Sequence, residues 1–167
     1  LRRLCARVET VPMVRSRLKD AAFGAASMFS KAPFLILRDQ VGEMHRKVKA
    51  LAGAGSFDAI HADQLWMAPY NTGAAGASLR VLDQHNAVFM VLERMARNVR
   101  NPLVRAWLGR EVSKLEAFER EACERFDRVV WVSDADRRAV TANGGGRNGQ
   151  DQVIPIAIDP QASRTVV

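Results

Sequence analysis

Short apolar runs alternate with longer amphipathic segments along this chain, and that alternation leaves few folds open. It is the pattern of a parallel sheet whose strands are joined by covering helices. Val8 to Met13, Phe57 to Asp63, Leu79 to Asp83, Arg128 to Val132 and Gln152 to Ile156 read as strands. Pro12 places the first near a sheet edge, because proline cannot donate to a ladder. The continuous apolar run Val129 to Val132 predicts burial on both faces. Helices are expected over Val14 to Ser30, Leu35 to Ala52, Ala87 to Asn98 and Pro102 to Phe126, with a brief one around Leu65 to Tyr70 and a short one running to Ala142 that Ser133 or Asp134 caps. In Leu35 to Ala52, Leu37, Val41, Met44, Val48 and Leu51 recur at helical spacing. The best-marked helix follows Asn101-Pro102, where proline suits the first turn. Leu103, Trp107, Leu108, Val112, Leu115, Phe118, Ala122 and Phe126 trace its expected core face, and Glu116 with Arg120 and Glu121 with Arg125 make outer pairs. Gly144 to Gly146 reads as a loop, and Gln161 to Val167 as a tail or the start of a linker.

At 167 residues the chain suffices for one domain with a real core. A composition 48% apolar and 26% charged is that of a globular protein, and no apolar run is long enough to cross a bilayer. Cys5 and Cys123 are too few for a disulfide framework and read as two buried thiols of a reducing cytosol. Three histidines without Cys or His neighbours in sequence argue against zinc. The net charge of +7 suits a phosphate-bearing partner, whether nucleotide, anionic lipid or nucleic acid.

Ligands of open parallel sheets gather at the carboxyl ends of the strands. Here those ends run into His61-Ala62-Asp63-Gln64, into His85-Asn86 and into Ser133-Asp134. Two histidines therefore stand at equivalent strand exits, with a structural hydrogen bond as the plainer alternative for each. His45 lies in a helical pattern and reads as a surface residue.

The blocks FDAIHADQLWMAPY, RVLDQHNAVF, EAFEREACERFD, RVVWVSDADRRAV and VIPIAIDP, in this order and spacing, resemble the N-terminal domain of family 4 glycosyltransferases, closest to bacterial exopolysaccharide-type sugar transferases. The resemblance implies an α/β fold: a Rossmann-like parallel sheet with flanking helices, forming an incomplete N-terminal half of a GT-B architecture. Residues 1–160 would be this acceptor-side domain without its first strands, and the C-terminal donor domain would be absent. It also implies that the parent enzyme moves a hexose from a nucleotide-sugar to a glycan or lipid-linked acceptor with retention, and that this chain alone is inactive. By the same resemblance His85 lies beside the donor sugar as the catalytic position, Asn86 shares its loop, His61, Asp63 and Gln64 face the acceptor, and Ser133 and Asp134 line the cleft. No metal and no cofactor held by this chain are expected, and no nucleic acid. A cytoplasmic enzyme, peripheral at the inner membrane through Arg15, Arg17 and Lys19, fits a lipid-linked acceptor; an ordinary sheet-covering helix is the alternative for that segment. The sequence departs from the family where Ile156-Ala157-Ile158-Asp159 replaces Asn-Gly-Val-Asp, and it lacks the family's initial strand and glycine loop. With upstream strands missing, a sheet of four contiguous parallel strands is predicted, with Val8 to Met13 detached or re-paired in a non-native position. A basic nucleic-acid or anionic-surface module is the alternative function, although interleaved exposed aromatics are lacking. A regulatory flavodoxin-like domain lacks its acidic cluster.

Overall fold

The computed structural model describes residues 3–55, 57–73, 77–142 and 151–156. Three helices open the chain: α1 (Arg17–Phe29), α2 (Phe34–Asp39) and α3 (Gly42–Ala54). Then follow β1 (Phe57–Asp63), a 3-10 helix (Leu65–Gly73), β2 (Ala77–Gln84), α4 (Val88–Arg97), α5 (Pro102–Arg125), β3 (Arg128–Trp131), α6 (Asp134–Thr141) and β4 (Asp151–Val153). The four strands form one parallel sheet in the order β1-β2-β3-β4. This is the predicted α/β architecture with four contiguous strands. The stretches Gly144 to Gly146, Ile158 to Pro160 and Gln161 to Val167 lie outside the described residues.

When strands follow one another in spatial order, right-handed crossovers carry every connection over the same face. The burial alternation matches that rule. Ala62, Leu82, Gln84, Val129 and Trp131 are buried, whereas Ala59, His61, Asp63 and Arg128 between them are exposed. Val130 and Val132 are half-buried, so the third strand is fully covered on one face and not on both as expected. On the covered face Leu82, Val129 and Trp131 join Leu65, Ala68, Leu115, Ala122, Phe126 and Val140 in one core. Each large side chain removed from water there contributes about 1.5–3 kcal/mol. Cys123 belongs to this core, while Cys5 is exposed, contrary to the expectation of two buried thiols.

Val8 to Met13 forms no strand. The segment is instead tied to α3 by Glu9, which accepts from Lys47 Nζ at 3.0 Å. The predicted Leu35 to Ala52 helix is broken in two, because Gln40 and Val41 take extended backbone angles. The apolar periodicity runs through the break, but the hydrogen bonds do not. The Tyr70 hydroxyl fills the gap: it donates to Asp39 O at 3.2 Å and accepts from Val41 N at 2.8 Å.

The core face of α5 also differs from its apolar pattern. Leu103 is 80% exposed, and Glu111 and Glu119 are buried with Leu115, Ala122 and Cys123. Both glutamates do the same work. Neither α2 nor α4 has a capping side chain of its own, since Pro33 and Ala87 occupy their N-cap positions. Glu111 Oε2 accepts from Phe34 N at 2.6 Å, at the start of α2. Glu119 accepts from Val88 N at 3.0 Å and Phe89 N at 3.2 Å, at the start of α4, and from Gln84 Nε2 at 2.8 Å. Thus α5 caps two other helices through carboxylates two turns apart. Glu111 is further paired with Lys114, whose ammonium reaches Ser27 O at 2.7 Å. Asn101 caps α5 itself, accepting from Leu103 N and Val104 N, with Pro102 in the first turn as predicted. Glu121 and Arg125 form one of the two expected outer pairs. Among the described residues no helix is long and apolar enough to cross a membrane.

Two stability predictions follow from these contacts. Burial lifts the Glu119 carboxyl to about 7, despite the hydrogen bonds it accepts. A carboxyl raised on folding binds its proton more tightly in the native state, so its contribution is full below the ordinary value near 4.5 and is lost as pH climbs through about 7. Between pH 4.5 and 8, urea unfolding of the unmodified chain should show a stability loss on the order of 3 kcal/mol that Glu119→Gln does not show; equal pH dependence in both would refute the assignment. Tyr70→Phe leaves Asp39 O and Val41 N without their bridge and should cost about 1–2 kcal/mol; an unchanged midpoint in the same titration would mean the bridge adds nothing.

Candidate functional site

Side chains on a strand alternate faces, so His61 and Asp63 share one face of β1, and Val81 and Asp83 one face of β2. The register sets His61 opposite Val81 and Asp63 opposite Asp83. His61, Asp63 and Asp83 therefore gather on the face that the helices leave bare, at its C-terminal end. Ala62, Leu82 and Gln84 point into the core between them. His85, one residue beyond β2, swings back over this pair: its Nε2 lies 3.0 Å from Asp63 Oδ1 and 3.8 Å from Asp83 Oδ1. His61 Nε2 stands 3.7 Å from the other Asp83 oxygen.

Gln64 completes the arrangement. It adopts a left-handed backbone with φ 72°, which costs a residue with a Cβ about 1 kcal/mol. That turn lets Gln64 N donate to Asp83 O at 2.9 Å and brings the side-chain amide within 3.3 Å of His85 Nδ1. With Nε2–H directed at Asp63, the free lone pair is on Nδ1, and Gln64 Nε2 donates to it.

The other side of the His85 loop borders a cleft of about 260 Å³ lined by Gln64, Trp66, His85, Asn86, Val88 and Val91, among others. Trp66 and the two valines give it an apolar wall, and Gln64, His85 and exposed Asn86 its polar lip. Among the described residues that line it, none is Lys or Arg. The loop is anchored from below: Ala87 N donates to Asp136 Oδ1 at 2.9 Å, and Val132 N to Gln84 O at 3.3 Å. Beneath it Cys123 is buried, and burial pushes its thiol far up, so it stays protonated and inert.

The seven residues singled out in the sequence divide into two groups. His61, Asp63, Gln64, His85 and Asn86 come together around the ends of β1 and β2. Ser133 and Asp134 do stand at the next strand exit on the same rim, but their side chains are engaged locally. Ser133 caps α6, accepting from Asp136 N at 3.1 Å and donating to Asp136 Oδ2. Asp134 pairs with Arg137 and Arg138, and the Arg137 hydrogen bond holds its carboxyl below the usual range. His45 is half-buried at the surface of α3, its ring 4.4 Å from that of Tyr70.

Sequence reasoning missed Asp83, although a signal was present. Asp83 and His85 are two apart at a strand end, as are His61 and Asp63. Period-two spacing puts each pair on one face. Only the strand register reveals that the two pairs meet. Trp66 carried no such signal, because its place in the cleft depends on the turn at Gln64. Protein families, curated proteins and solved structures offer no match to this chain.

Proposed function

We propose that this chain is the acceptor-side part of a retaining hexosyltransferase of GT-B architecture, which in its complete form uses a nucleotide-sugar donor and a glycan or lipid-linked acceptor. The observation that carries this reading is the position of His85. It sits at the carboxyl end of a parallel sheet, with one ring edge on Asp63 and the other held by Gln64, at the lip of a cleft walled by Trp66.

The chemistry is compatible with that position. Sugar transfer builds positive charge at the anomeric centre and negative charge on the departing diphosphate. A sugar hydroxyl that displaces the Gln64 amide can donate to His85 Nδ1 while Nε2–H stays on Asp63, Asn86 offers further hydrogen bonds, and the Trp66 ring suits the apolar face of a hexose. The nearby carboxylates of Asp63 and Asp83 favour developing positive charge. The same carboxylates disfavour a diphosphate, and among the described residues lining the cleft there is no Lys or Arg to hold one. On this reading the diphosphate is held by cations outside the cleft, as a separate donor domain would provide.

The acceptor points to a second surface. On α1, Leu18, Ala22, Ala25 and Phe29 fall on one stripe, with Arg17 and Lys19 on either side of it. Leu18 is 84% and Phe29 92% exposed, opposite the buried Ser27. An apolar stripe flanked by cations suits the interface of an anionic membrane, where lipid-linked acceptors reside. Arg15 adds charge nearby, although it also pairs with Asp39 at 3.0 Å.

Two measurements test the proposal. In the complete enzyme, screened against nucleotide-hexoses, His85→Ala should lower kcat/KM by about 10²–10³-fold; full activity in that variant, or no turnover of any nucleotide-hexose by the unmodified enzyme, would overturn it. In flotation with phosphatidylglycerol vesicles, binding should fall in the Arg15→Ala, Arg17→Ala, Lys19→Ala triple variant and in Leu18→Glu, Phe29→Glu; equal flotation of all three proteins removes the membrane surface.

A further inference from the structure

The geometry points to a divalent-cation site of the zinc or cobalt(II) class formed by Asp63, Asp83 and His85. It rests on the placement of these three side chains and not on the sugar-transfer reading, which uses the same residues and whose free carboxylate charge a bound ion would take up. Two tripeptides build it, His61-Ala62-Asp63 at the end of β1 and Asp83-Gln84-His85 at the end of β2. Their order is mirrored, and the register sets Asp63 directly opposite Asp83. Each histidine then lies diagonally across from the other strand's aspartate.

The spacing suits one small ion. Ligand atoms about 2.0–2.2 Å from a tetrahedral zinc stand about 3.3 Å from each other. His85 Nε2 is 3.0 Å from Asp63 Oδ1 and 3.8 Å from Asp83 Oδ1, and all three ligand atoms lie within 4.8 Å of one another. The charge balance agrees. Two facing carboxylates repel, and among the described residues imidazoles are their only ion-pair partners. A dication bound between them converts that repulsion into attraction.

Gln64 acts as the orienting outer partner. Ligation takes Nε2 without its proton, so the ring proton resides on Nδ1. Rotating the Gln64 amide about its last bond then presents Oε1 to Nδ1–H in place of Nε2. A ligating histidine whose second nitrogen is held by a side-chain or backbone oxygen is the common arrangement in metal sites. The imidazole nitrogen favours zinc or cobalt(II) over magnesium or calcium, which prefer all-oxygen shells. His61 lies outside the trio, beside the second Asp83 oxygen, and steadies that carboxylate.

The test is titration of zinc and cobalt(II) into the untagged chain, read by calorimetry and by the visible absorption of cobalt. One ion per chain is expected, bound at least about tenfold more weakly by His85→Gln and by Asp63→Asn. Both positions are substantially solvent-exposed, and circular dichroism of each variant verifies that the fold is intact. His45→Ala, on α3, should bind as the unmodified chain does. Absence of saturable binding, undiminished binding in both site variants, or magnesium binding as tightly as zinc would overturn the site. The measurement needs no sugar donor, so its failure and the failure of the transferase reading are separate results.

Discussion

The carboxylate of Glu119 lies fully buried between sheet and helices, where an isolated charge would be costly, and three donors converge on it. Two are the first amides of α4, and the third is the side chain of Gln84, the last residue of β2. One group on α5 therefore fixes where the following helix begins and how the preceding strand ends. The His85 loop is the short link between those two points, so its path is set from below by a residue more than thirty positions further along the chain. Glu111 repeats the device one layer away, tying α5 to the start of α2. Such a network gains little in net stability over an apolar core, but it is intolerant of a missing partner, which makes it specific.

Coverage of the sheet follows from topology and not from composition. Strands laid down in order, each returning by the same hand, send all their helices to one side. The chain thereby keeps its apolar residues under α4, α5 and the 3-10 helix and leaves the opposite face to His61, Asp63 and Asp83. The candidate site is the polar end of that bare face, continued over the rim by His85 into the cleft beside Trp66.

Much of this architecture was legible in the sequence. The four strands of the sheet, the long α5 with Pro102 in its first turn, and the start of α6 at Ser133-Asp134 follow from local patterns that need no partner. The features that were not legible depend on distant residues. The break between α2 and α3 interrupts an unbroken apolar period, and it is stabilised by Tyr70 from another element. Glu111 and Glu119 look like solvent-facing charges in a charged helix, because their backbone partners lie in segments that end far away in sequence. The meeting of Asp63 with Asp83 depends on strand register, which neither strand encodes alone. Ser133 and Asp134 illustrate the converse: their position at a strand exit was readable, whereas their engagement within α6 emerges only from side-chain geometry.

The open face has an electrostatic consequence. In contact with bulk water, two unit charges 4 Å apart exchange only about 1 kcal/mol, and the same pair at a protein-like effective dielectric about four times as much. Asp63 is largely exposed and His85 about a third so. Their fields are therefore diluted as they stand, and any body that settled over the bare face and expelled its hydration would strengthen them without moving an atom. The power of this cluster over a bound charge is set by its lid as much as by its own residues.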